Sequence, residues 1–99
     1  MTNVVIEIHV HSSIEIPCLV SIRTDSLAIS KTFSIGVVRG DRFEICRSAG
    51  LVVAKDLLYA NKLDGNYFLD RIEQTDTQRI YVYVWKSIDD SFQIELRRD

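Results

Sequence analysis

Arg79-Ile80-Tyr81-Val82-Tyr83-Val84-Trp85-Lys86 is apolar on both faces at strand period. Ile80, Val82 and Val84 point one way, and Tyr81, Tyr83 and Trp85 the other. β-Branched and aromatic side chains suit a pleated, packed surface. A strand that is apolar on both sides needs cover on both sides, so 79–86 is read as the central strand of a sheet. One face goes to the core, the other to a helix, a second sheet or another subunit.

On either side of it, Tyr67 to Glu73 reads as strand, Gln74 to Gln78 as a polar turn, and Phe92 to Arg97 as a cleanly alternating strand. The C-terminal third is therefore expected to be a three-stranded meander with 79–86 in its middle. A two-residue Asp89-Asp90 turn would pair Trp85 with Ile94 and Tyr83 with Leu96, which sets the aromatics in the core. A loop one residue longer would reverse every side chain. Two-residue hairpin loops are the commonest, so the aromatics are expected inside.

Further upstream the composition changes. Leu51 to Leu63 carries Leu, Ala, Lys, Asp and Asn near helical spacing, and Asp64-Gly65-Asn66 would stop such a helix with Gly65 left-handed. A short strand over Leu51-Val52-Val53-Ala54 is the alternative. Leu27 to Val38 is mostly β, Arg39-Gly40-Asp41 a turn, and Arg42 to Arg47 a returning strand, so 27–38 and 42–47 read as a hairpin. Ser48-Ala49-Gly50 breaks that pattern. At the start, Val4, Ile6, Ile8 and Val10 alternate with Val5, Glu7, His9 and His11. Leu19 to Arg23 forms a second strand after Pro17. The expected fold is mainly β, or α+β. It is a small antiparallel sandwich or open barrel, or a sheet with a helix on one face, with about seven strands and one short helix near 51–63.

The chain has 99 residues and reads as a single domain over 1–99. With 46% apolar and 26% charged residues it is globular in composition. A net charge of −2 and a pI near 5.6 give no global attraction to nucleic acid or an anionic membrane, so neither is expected as a partner. The chain runs from Met-Thr-Asn straight into a strand-like segment, so no secretory leader is expected. No stretch approaches the roughly 18 apolar residues that cross a bilayer. Cys18 and Cys46 lack any C-x-x-C spacing, which excludes zinc-ribbon and thioredoxin readings. Two reduced thiols in a cytoplasmic protein are expected, and a bridge between them needs neighbouring elements.

Three features bear on function. On a strand, Glu7, His9 and His11 share one face, and neutral imidazole with carboxylate suits a divalent metal such as zinc, iron or manganese. Ile8-His9-Val10-His11-Ser12 resembles the opening motif of the PHP phosphoesterase family. That family needs a barrel and many further ligands, whereas this chain has 2 histidines in all, so the likeness stays local. A solvated strand face accounts for the same three residues. Arg39-Gly40-Asp41 resembles the integrin-binding loop of extracellular adhesion proteins over the tripeptide alone, and ordinary turn chemistry explains it equally.

The third feature is the stripe Arg79, Tyr81, Tyr83 and Trp85. Such a face is able to stack unpaired bases, as in RRM and OB-fold proteins, or to form a protein interface, or to pack a core. Asp70, Glu73 and Glu95 around it do not make the positive surround that a nucleic-acid platform needs. No Gly-x-Ser-x-Gly elbow or phosphate-cradling glycine loop is present. The leading expectation is a non-enzymatic protein–protein interaction or structural module that self-associates. A metal-binding protein or small metalloenzyme on Glu7, His9 and His11 and a single-stranded nucleic-acid binder on the aromatic face are the alternatives.

Overall fold

The computed structural model describes residues 3–63 and 65–85. It is mainly β: a single antiparallel sheet of five strands with one helix on one face. The strands are β1 (Val5–His11), β2 (Cys18–Arg23), β3 (Ala28–Phe33), β4 (Tyr67–Gln74) and β5 (Gln78–Trp85), and the helix is α1 (Arg42–Ala60). Their spatial order is β3-β2-β1-β5-β4. The sheet is open, not closed into a barrel.

β1 is the middle strand, which corrects the reading of 79–86 as central. β5 is interior but lies one place further out, between β1 and β4. Both of its edges are therefore paired along its length. The strand expected at 92–97 as its meander partner lies outside the described residues.

Opposed residues in antiparallel strands share a face. Ile6 faces Ile22 and Tyr83, and Ile8 faces Val20 and Tyr81. These side chains, with Val4, Val10 and Cys18, form the core face and are almost wholly buried. Tyr81 and Tyr83 are 1% and 2% exposed, so these two aromatics point inward as expected, opposite Ile8 and Ile6 of β1.

α1 begins nine residues before the helix expected at 51–63. Asp41 caps it, its carboxylate accepting from the Phe43 N–H at 2.9 Å and the Glu44 N–H at 3.4 Å. Cys46, Gly50, Ala54 and Leu58 recur every fourth residue and are its buried stripe. Phe43 and Ile45 also satisfy a two-residue period, and over six residues the two patterns are indistinguishable. The segment 42–47 is thus helix, not the returning strand of a hairpin, and β3 pairs only with β2 among the described residues. Gly50 does not interrupt the helix. It lies against Ile8, and a Cβ there would come within 2.6 Å of Ile8 Cγ2.

The helix ends in a Schellman turn. Lys62 N–H donates to Tyr59 C=O and Leu63 N–H to Leu58 C=O, with Lys62 in the left-handed region at φ 58°. The left-handed residue is therefore Lys62, not Gly65. Gly65 has a different reason to be small: a Cβ would meet the Trp85 indole Nε1 at 2.6 Å. No helix among the described residues is long and apolar enough to cross a membrane.

Candidate functional site

Glu7, His9 and His11 do project from one face of β1, the face turned away from α1, and all three are half-buried. Their polar atoms are engaged locally. Glu7 Oε1 lies 2.9 Å from His9 Nε2, and Arg23 Nη2 donates to Glu7 Oε2 at 3.0 Å. His11 Nδ1 accepts from the Ser13 N–H at 2.9 Å, as the residue turns the chain out of β1. The three side chains are brought to one face but not to one point. No cluster of three or more His, Cys, Asp and Glu side chains placed to hold a metal occurs among the described residues. The local resemblance to the phosphoesterase motif thus coincides with a carboxylate bridging a histidine and an arginine.

The aromatic stripe is split by burial. Tyr81 and Tyr83 are in the core, where their rings cannot stack on bases or meet a partner. Each hydroxyl accepts from an arginine, Tyr83 Oη from Arg47 Nη1 at 2.9 Å and Tyr81 Oη from Arg79 Nη1 at 3.0 Å. Arg79 also lies over the Phe43 ring, 4.4 Å from its centroid, and so ties β5 to the first turn of α1. Its hydrogen bond to Tyr81 raises the guanidinium above its ordinary range despite some burial. Burial works against the Arg47 charge, but hydrogen bonds to Glu44 and Tyr83 outweigh it and hold Arg47 protonated. Trp85 is half-buried over Gly65. Of the four stripe residues, only Arg79 and Trp85 keep part of their surface.

Arg39-Gly40-Asp41 is the approach to α1 rather than a hairpin tip, and its aspartate is consumed as the helix cap. The next residue, Arg42, donates from Nε to His11 C=O and from Nη2 to Ser13 C=O, while Nη1 is buried without a hydrogen-bond partner. Cys18 and Cys46 meet across the helix–sheet interface as free thiols. Burial first, then the hydrogen bond and the charge of Cys46, push the Cys18 thiol up to about 12, against the pull of Arg42.

Among the described residues, a sheet edge also carries bonding capacity. β3 ends the sheet, and no described strand pairs its outer side. The β2–β3 register runs without a shift from Cys18↔Phe33 to Arg23↔Ala28, and Thr24 N–H donates to Leu27 C=O at the turn. Alternation from that bonded pair turns the N–H and C=O groups of Leu27, Ile29, Lys31 and Phe33 toward β2. Those of Ala28, Ser30 and Thr32 face outward. The opposite edge, β4, is different. It is bulged between Leu69 and Arg71, and Arg71 pairs with Asp70 and Glu73, each at 2.8 Å. Bulges and charges of this kind discourage strand addition. The sequence signal for β3 was its β-rich composition, but nothing in one sequence says which strand lies at an edge.

The chain matches no known protein family, no curated protein and no solved structure.

Proposed function

We propose that the chain is a non-enzymatic protein–protein interaction or structural module that associates with copies of itself. The observation that supports this best is the unshifted edge of β3, whose outer side no strand pairs among the described residues, in a sheet whose other described edge is bulged and charged. Apolar side chains on the surface add to it: Val37 is 90% exposed, and Val52 and Tyr59, two turns apart on α1, are 60% and 77% exposed. The residues best suited to chemistry are taken up in structural pairings, Glu7 with His9 and Arg23, His11 with Ser13, and Asp41 with the helix N-terminus. Two adjacent, unbridged thiols suit a reducing, cytoplasmic setting.

The test is sedimentation velocity over a dilution series. Self-association gives a sedimentation coefficient that rises with concentration, with a fitted mass that is a multiple of the monomer's. A monomer at every concentration overturns the reading.

A further inference from the structure

We propose that two copies of the chain join edge to edge through β3, antiparallel, with Ser30 of one copy opposite Ser30 of the other. The proposal rests on the self-associating reading above and names its interface. The five described strands of each copy then run on in one continuous sheet with both helices on the same face.

Three features of β3 select this register. First, the outward backbone groups belong to Ala28, Ser30 and Thr32, so only registers that oppose these residues to one another close hydrogen bonds. Centring on Ser30 opposes Ser30 to Ser30 and Ala28 to Thr32 twice, which closes about six inter-chain bonds. Second, sliding the pairing by two residues either way fails for a stated reason. One slide sets Lys31 directly opposite Lys31, and like charges directly opposed destabilise a pair. The other pushes Thr32 past the end of its partner and loses part of the ladder. Third, the Ser30-centred register opposes Leu27 to Phe33 on the helix face and lays the Lys31 stem beside Ile29. Leu27, Ile29 and Phe33 are all half-buried in the single chain and gain apolar neighbours. No proline or glycine interrupts 28–33.

Two variants and one exchange measurement test it. Ser30→Lys places a cation opposite its own copy at an exposed position of the edge, and is expected to abolish the concentration-dependent rise in sedimentation coefficient. Ser30→Cys puts two thiols on Cα atoms ~5.5 Å apart in the bonded pair, within the span a disulfide bridges. Oxidation with diamide is expected to give a covalent dimer that reductant reverses. In the unmodified protein, amide exchange at Ala28, Ser30 and Thr32 is expected to slow as concentration rises. If Ser30→Lys associates like the unmodified chain and Ser30→Cys does not cross-link, the β3 interface is wrong and the self-associating reading survives on another surface. If the unmodified chain never associates, both fall.

Discussion

Gly50 of α1 and Ile8 of β1 are in direct backbone-to-side-chain contact: a methyl group at the glycine would also stand 3.1 Å from Ile8 Cδ1. The middle of the helix approaches the middle strand as closely as an amino acid without a side chain allows. Gly50→Ala gains up to ~1 kcal/mol in helix propensity. It meets a Cγ2 methyl fixed by the branch at Cβ, where overpacking costs typically ~1–3 kcal/mol. The expected result is a net loss of stability in urea unfolding, partly recovered when Ile8→Ala is added. A net gain from Gly50→Ala alone would mean that the helix lifts off β1 without cost.

Lys62 holds a left-handed conformation that L-residues with a Cβ enter at a cost of about 1–2 kcal/mol. Lys62→Gly is therefore expected to stabilise the protein, by about 0.5–1 kcal/mol, without moving the Schellman bonds to Tyr59 and Leu58. Thermal unfolding monitored by circular dichroism measures the gain. An unchanged midpoint would show that the conformation carries no strain.

At the other end of α1, Asp41 accepts two backbone N–H groups. Asp41→Ala leaves them without that partner and is expected to cost ~1 kcal/mol, whereas Asp41→Asn or Asp41→Ser retains most of the stability. A loss of similar size in all three variants would point to the charge of Asp41 rather than to capping.

The Cys18 thiol gives a pH dependence with a definite sign. Its folded value is raised, to about 12, while the unfolded chain ionises near the ordinary value of 9.0. Its contribution is fully present below pH 9 and falls as the pH climbs toward 12, because only the unfolded chain then releases the proton. The slope is at most ~1.4 kcal/mol per pH unit. Denaturant midpoints between pH 8 and the alkaline limit are expected to fall less steeply for Cys18→Ala. Identical slopes would show that the thiol titrates normally in the folded state.

Zinc added in equimolar amount is expected to leave the melting temperature unchanged, since Glu7 is already shared by His9 and Arg23. A ligand held only by the folded state would raise it. A rise that disappears in His9→Ala would restore the metal reading of Glu7, His9 and His11.

Much of the sheet was legible in the sequence. The alternation of Val4 to His11, the Pro17-led start of the second strand and the two-sided apolarity of 79–86 each reflect burial on a two-residue period. Tyr81 and Tyr83 turn inward as the sequence leads one to expect, while the Asp89-Asp90 turn that carries the expectation lies outside the described residues. What misled was local ambiguity. Phe43 and Ile45 fit a strand as well as a helix, and Gly50 looks like a breaker until Ile8 is placed beneath it. The order of strands was not legible, because β1 and β5 pair across most of the chain and no local signal encodes that partnership. The candidate edge was hidden for the same reason.

The placement of β1 in the middle of the sheet orders events during synthesis. β1 is made before its partners, and β2 and β3 follow as a meander that pairs locally. Its second neighbour, β5, arrives only when residue 85 has been made. Until then Ile6 and Ile8 have cover from α1 on one face and an empty flank where Tyr81 and Tyr83 belong. Closing β5 onto β1 is therefore a high-contact-order step, which slows completion of the core relative to the local β1–β2–β3 pairing.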